Sequence, residues 1–223
     1  MNVVEAIKAR KSIRDFKPDP VSQNILKKIL KIACRAPSAS NAQPWQFTVI
    51  TGDVLENIRM ATIEKLQAGR PFSPEWKVDQ WPPGSVYRRR QVEIAKQLFK
   101  LMEIAREDQQ KRTEWIERGF RYFNAPAVII ITSDGSLPET RPLLDIGGVM
   151  QTICLAALEF GLGTCIQNQG VMYPDILRKF AQIPASQRII VAIAMGYPNW
   201  DFAANQVAST REALENMTTW CGF

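Results

Sequence analysis

Three cations and a hydroxyl stand within five residues at Arg10-Lys11-Ser12-Ile13-Arg14, a combination able to grip a phosphate. Guanidinium groups bind phosphate oxygens through paired N–H donors, and a serine hydroxyl adds a contact without bulk. Cations placed here would also suit the C-terminus of the short helix expected over Val3, Val4 and Ile7, or a solvated face. A second stretch, Ala36-Pro37-Ser38-Ala39-Ser40-Asn41-Ala42-Gln43-Pro44-Trp45, offers different chemistry. Its prolines fix φ and withhold N–H groups, while Ser38, Ser40, Asn41 and Gln43 present short donors and acceptors that could hydrogen-bond a flat polar heterocycle. The same residues would serve a plain connection in which side chains satisfy the neighbouring backbone.

What the chain lacks narrows the reaction classes. Its 223 residues include no histidine, which removes Ser-His-Asp and Cys-His dyads, His-ligated metals and the usual neutral-pH proton shuttle. There is no G-x-x-x-x-G-K-[ST] loop, and Gly161-Leu162-Gly163 is a lone G-x-G. The four cysteines, Cys34, Cys154, Cys165 and Cys221, form no C-x-x-C pair, so reduced thiols are expected and a zinc site is not. Redox chemistry carried by a bound organic cofactor survives these exclusions, because it asks little of protein acids and bases. The net charge of +6 comes from scattered Lys and Arg with no nucleic-acid motif, which favours anionic small molecules over DNA or RNA.

These candidate residues need elements to hold them. A composition of 46% hydrophobic and 22% charged residues supports one sizeable core and one domain over 1–223. Ser22 caps a helix with Ile25, Leu26, Ile29, Leu30 and Ala33 at helical spacing. Gln46 to Thr51 reads as a first core strand, and Asp53 starts another helix. From Gly69 to Tyr87 prolines interrupt Phe72, Trp76, Trp81 and Tyr87, opening a lid-like excursion over about 69–123 that could wall a planar ligand or pack down as a satellite cluster. Arg88-Arg89-Arg90 opens the next helix against its dipole, so an anion-holding role stands beside simple solvation.

Ala127 to Thr132 is a continuous apolar strand of the kind buried on both faces. Leu143 to Phe160 is a helix apolar nearly all round, closed by Gly161, that belongs in a core or at a subunit interface. Gly163 to Gln167 and Ile189 to Met195 supply further strands, and an arm follows over about 203–223. The first twelve residues carry no apolar signal segment and the 143–160 helix is interrupted by Asp145, Gln151 and Glu159, so a protein without membrane spans, in the cytoplasm, is expected.

Arg10-x-Ser12-x-Arg14-x-Phe16, then Pro18 and Pro20-Val21, then Ala36-Pro37-Ser38-x-x-Asn41-x-Gln43-Pro44-Trp45-x-Phe47 resembles the FMN-dependent nitroreductase family over nearly the whole chain. Tyr87-Arg88-x-Arg90, Arg106-Glu107-Asp108, Phe120-x-x-Phe123-x-Ala125-Pro126 and the Gly222-Phe223 ending resemble a branch that reduces nitrobenzoates and other nitroaromatics. The resemblance implies an α+β, three-layer fold with a mixed, mainly antiparallel sheet flanked by helices, working as a homodimer with the flavin between subunits. It implies that Arg10, Lys11, Ser12, Arg14 and Arg211 contact the FMN phosphate and ribityl chain. Pro37, Ser38, Ala39, Asn41 and Gln43 would reach the partner's flavin, with Ala39 standing where a serine is common, and Thr164, Cys165, Ile166 and Gln167 would face the ring. The implied reaction is ping-pong, NAD(P)H delivering hydride to flavin N5 before a small aromatic electron acceptor takes its place, with no side chain acting as acid. Trp76, Trp81, Tyr87 and Arg88 are then the candidate acceptor contacts, Arg88 for a carboxylate. Reductive dehalogenation, flavin fragmentation, or flavin binding without turnover remain the alternatives.

Overall fold

A computed structural model describes residues 1–76 and 80–223; within the excursion, 77–79 lie outside the described residues. Four strands form one sheet in the order β1-β2-β4-β3: β1 Gln46–Thr51, β2 Ala127–Asp134, β3 Gly163–Gln167 and β4 Gln187–Gly196. Every neighbouring pair is antiparallel. The parallel element of the expected mixed sheet is a single bridge, Ser12 to Thr164, outside the named strands. β2 and β4 occupy the centre and are buried almost throughout, as the unbroken Val-Ile runs require. β1 differs from the expected core strand. It forms an edge, with Gln46, Val49 and Thr51 exposed and only Ile50 buried.

Side-chain alternation along the central strands divides the core in two. Val128, Ile130, Ala192 and Ala194 pack with Leu55 and Ile58 of α3 (Gly52–Gln67), Phe120 of α5 (Gln109–Phe120) and Leu177 of α7 (Pro174–Ala181). Ile129, Ile131, Ile193 and Met195 face Leu26 and Ile29 of α2 (Gln23–Ala33) and Val149 and Ile153 of α6 (Leu143–Glu159). The result is helix, sheet, helix. Local signals set the helix ends: Ser22 accepts from Ile25 N at 3.3 Å, and Gly161 at φ 70° leads the chain out of α6. α7 begins with Pro174 at its first turn, where a missing N–H costs nothing.

The short α1 (Val3–Ala9) lies against α6 but leaves Val3, Val4 and Ile7 exposed. Leu144 of α6 is 87% exposed, and Ile32 of α2 is also uncovered. Far from this face, the start and end of the excursion meet. Phe72 stacks on Phe120 at 5.6 Å and on Tyr173 at 5.5 Å, while Glu75 accepts from Arg178 Nε at 3.0 Å and from Ile189 N at 2.8 Å. The last contact serves the β4 backbone beside the irregularity in its pairing with β2. Between these ends, α4 (Val86–Leu101) is capped by Ser85 and packs Leu98 on Ala204 and Val207 near the C-terminus.

Candidate functional site

The Arg10 to Phe16 segment runs along β3 in extended form. Ile13 N donates to Thr164 O at 2.9 Å, and Phe16 bridges Pro198. The approach is tight because Gly163 has no side chain: a Cβ there would lie 2.5 Å from Ile13 Cγ1. This placement brings Arg10, Ser12 and Arg14 to Thr164 and Cys165 of the neighbouring strand. Burial pushes the Cys165 thiol up to about 11, with Arg14, the Ser12 hydroxyl and Arg10 pulling it back. Cys154 of α6, beside Thr164, is raised for the same reason. Both thiols are therefore neutral lining at neutral pH. Burial also lowers the Arg14 pKa, and Lys11 is lowered by burial and then by Arg14. Cations that are partly stripped of water attract an anion more strongly than solvated ones.

Arg14 is held by residues that sequence reasoning passed over. Its backbone N donates to Asn205 Oδ1 at 2.6 Å, and Asn205 Nδ2 donates to Asp15 O at 2.9 Å and Asn199 O at 2.7 Å. Arg118 of α5 donates to Asp15 Oδ1 at 2.5 Å and lies over the Phe202 ring at 4.4 Å. Asn199 Nδ2 donates to the other Asp15 oxygen at 2.7 Å. Asn205 is fully buried. Its only sequence signal was an isolated amide at the head of the arm, which spacing rules cannot connect to a residue 191 positions earlier.

At the end of β3, Gln167 is buried, and both its Oε1 and its Nε2 lack a hydrogen-bond partner among the described residues. An amide in that state fits a ligand edge carrying both a donor and an acceptor, since leaving both atoms unpaired costs roughly 1–3 kcal/mol each. A flavin ring has such an edge, and the Arg10, Ser12 and Arg14 cluster fits its phosphate. The observed residues thus match the group that the sequence resemblance implies.

The Pro37 to Gln43 loop does not join this cluster within one chain. Ala39 N donates to Asp145 Oδ1 at 3.2 Å, and Gln43 N to Ser38 Oγ at 3.0 Å. Ser40, Asn41 and Gln43 have φ of 52°, 57° and 47°, conformations that cost non-glycine residues roughly 1–3 kcal/mol each and concentrate at binding sites. Pro37, Ala39, Asn41 and Gln43 are exposed. No hydrogen bond among the described residues links the loop to Arg10 through Arg14 or to β3.

The remaining candidates divide. Trp76 is half-buried and packs against the α2 and α6 side of the core. Trp81 and Tyr87 pair at 5.1 Å, each 52% exposed, and Arg88 Nη1 donates to Gln91 Oε1 at 2.5 Å. Arg211 hydrogen-bonds Ser209 Oγ at 2.8 Å. It lines a groove of about 790 Å³ with Arg88, Arg89, Arg90, Ser209 and Thr210, and no contact among the described residues places it with Arg14.

The nitroreductase family model matches residues 7–197. The chain belongs to the nitroreductase family. It is 34% identical over 217 residues to a nitrobenzene nitroreductase from Ectopseudomonas oleovorans, covering 97% of this chain and 95% of that one. A 4-nitrobenzoate reductase from Pseudomonas putida is 28% identical with 97% and 94% coverage. Its fold is that of an FMN and NADPH-dependent nitroreductase, NfnB from Sphigopyxis sp. strain HMH, with a TM-score of 0.94, 28% identity and full coverage of both chains. The chain is thus an oxidoreductase of that family, and the Arg10 to Phe16 segment and β3 lie side by side within the matched residues. No helix among the described residues is long and apolar enough to cross a membrane.

Proposed function

We propose that this chain is a homodimeric, FMN-dependent enzyme that takes electrons from NAD(P)H and passes them to nitroaromatic acceptors in a ping-pong sequence in the cytoplasm. The observation that carries the reading is Gln167, whose two buried, unpartnered heteroatoms end the strand that also bears the Arg10, Ser12 and Arg14 contacts. Bound FMN supplies the two-electron chemistry and accepts each substrate in turn over its ring. Arg10 and Arg14 hold the phosphate, Ser12 adds a hydroxyl, and Thr164 to Gln167 line the ring. Lys11 adds positive charge to the same clamp. The partner's Pro37 to Gln43 loop completes the site, in keeping with a strained loop that makes no hydrogen bond to the cluster of its own chain among the described residues.

Dimerisation has its own support. Val3, Val4 and Ile7 of α1, Leu144 of α6 and Ile32 of α2, which shares a concave patch with Ala36 and Pro37, all stand exposed, and apolar side chains gathered into patches are seldom left in water. The acceptor, a flat nitroaromatic, stacks under Trp81 and Tyr87, with Arg88 pairing a carboxylate where the acceptor has one; relatives named for nitrobenzene and for 4-nitrobenzoate span both cases. The excursion over 69–123 acts as the lid and 203–223 as the arm of a single domain.

The purified protein should be yellow and reconstitute with FMN better than with riboflavin. NADPH oxidation should rise with nitrobenzene, giving parallel double-reciprocal lines. Colourless protein indifferent to the phosphate, or intersecting lines, would overturn the cofactor and the mechanism respectively.

A further inference from the structure

The Pro37 to Gln43 loop is stiff within itself and almost unattached to the rest of its chain. Asn41 N donates to Ser38 O at 3.0 Å and Ala42 N to Ala39 O at 3.1 Å, while Gln43 closes on Ser38 Oγ and on Asn41. Its ends are fixed where Ala36 and Trp45 enter the core. Between those ends, one hydrogen bond among the described residues joins 37–43 to another element, from Ala39 N to Asp145 Oδ1 at 3.2 Å. Asp145 stands in the first turn of α6. Gly148, further along that helix, lies under the same loop, since a Cβ there would meet Pro37 O at 3.9 Å.

A carboxylate is a costly residue to keep in that place. Asp145 is 7% exposed, and its Oδ2 is buried with no hydrogen-bond partner among the described residues. Arg141 Nη1 stands 4.0 Å from that oxygen, beyond hydrogen-bond reach, on an exposed side chain. Taking a carboxylate out of water without satisfying both oxygens works against folding. Ala39, in contrast, is exposed, so water would satisfy its N–H if Asp145 were absent. The pair therefore does little for the stability of one chain. Its effect is on position: it fixes the middle of a loop that holds Ser40, Asn41 and Gln43 at positive φ, and with it the direction in which those side chains are presented.

We infer that Asp145 is a positioning residue for the flavin site of the partner subunit, acting through Ala39 N rather than by touching the cofactor. The inference rests on the dimeric, flavin-dependent reading, in which this loop completes the site across the interface. Asp145→Ala should weaken FMN binding about tenfold, the value of one charge-assisted hydrogen bond, while the Tm of the flavin-free dimer stays level or rises. Asp145→Asn, which keeps an acceptor for Ala39 N, should restore most of the lost affinity. A residue serving stability alone would give the opposite pattern, a lower Tm with unchanged affinity. Mixed dimers decide the direction of action. With Asp145→Ala in one chain and Arg14→Ala in the other, one site combines an intact clamp with an intact partner loop, and the second site has neither. Co-expressed, separately tagged chains should then give dimers in which half the sites titrate with wild-type affinity, read by FMN fluorescence. If Asp145 serves the site of its own chain, both sites are defective. Two weak sites, an Asp145→Ala dimer that binds FMN as the wild type does, or an Asp145→Asn variant without restored affinity overturns the assignment and leaves the flavin reading standing. A wild-type chain that is colourless or monomeric overturns that reading, and the assignment with it.

Discussion

Asn205→Ala removes the side chain that ties the Arg14 backbone to the C-terminal segment. The three bonds it makes involve one N–H and two carbonyls, those of Arg14, Asp15 and Asn199. Each group left unpaired costs roughly 1–3 kcal/mol. Because Asn205 is fully buried while Arg14 is only half-buried, water can rescue part of the loss, which puts the destabilisation near the low end of the total, about 3 kcal/mol. For a chain of this size that lowers Tm by about 6–12 °C. FMN affinity should fall about tenfold in addition, as Arg14 loses its fixed backbone. Asn205→Asp refines the test. It keeps the acceptor for Arg14 N but turns an oxygen onto the Asp15 and Asn199 carbonyls, so its carboxyl is held protonated and its folded pKa rises above the unfolded value of about 3.9. Stability is then greatest below that unfolded value and is lost as pH rises toward the folded one. Urea denaturation with and without FMN, from pH 4 to 8, reads both effects. A loss below 1 kcal/mol in Asn205→Ala, or an unchanged FMN affinity, would refute the positioning role.

Gly163→Ala would push a Cβ to 2.5 Å from Ile13 Cγ1; overpacking of about 1–3 kcal/mol and weaker FMN binding are expected by denaturation and fluorescence titration. Arg14→Ala should cost about 1.5–3 kcal/mol of FMN affinity and much less for riboflavin. Burial lifts Cys165 from 9.0 to about 11, so the unfolded chain ionises first and stability should fall by up to about 3 kcal/mol as pH rises through that window; Cys165→Ala should flatten the slope. If Arg88 pairs an acceptor carboxylate, kcat/KM for a nitrobenzoate should exceed that for the matching nitrobenzamide by about ten- to a hundredfold, and Arg88→Ala should abolish the difference.

What was legible in the sequence follows from range. Ser22, Gly161 and the Val-Ile run of β2 act on their immediate neighbours, and the structure places the helix start, the helix end and the buried strand where they point. The α7 helix leaves little mark in the sequence, because Pro174 and the Ile176, Leu177 and Phe180 pattern occupy barely two turns. The sequence of β1 predicts a core strand because β-branched residues look the same at an edge as at a centre; only pairing on one side distinguishes them. In the site, Arg10, Ser12 and Arg14 were readable as a cluster because they are local. The network of Asp15, Arg118, Asn199 and Asn205 was not, being assembled from three distant segments. Trp76 looked like Trp81 in composition, yet one packs on the core and the other does not.

The stack of Phe72 on Phe120 and Tyr173 has a bearing on how this enzyme can change. It brings the two ends of a stretch of nearly fifty residues to one point on the core, so the rest of the sheet and its helices see the excursion as a closed attachment. For a segment already closed at its base, doubling the length adds only about 0.6 kcal/mol of entropic cost. Apart from the anchors Glu75, Trp76, Leu98 and Arg118, residues between Phe72 and Phe120 can therefore be replaced, lengthened or shortened with little consequence for the register of β2 and β4. The aromatic pair Trp81 and Tyr87 and the arginines of α4 lie inside that stretch, while Ser12, Arg14 and Gln167 lie outside it. Selection can thus revise what enters the pocket without disturbing the residues that hold the electron carrier, and a library confined to 80–97, short of Leu98 and Arg118, is where altered acceptor preference should be recovered at the lowest rate of misfolding.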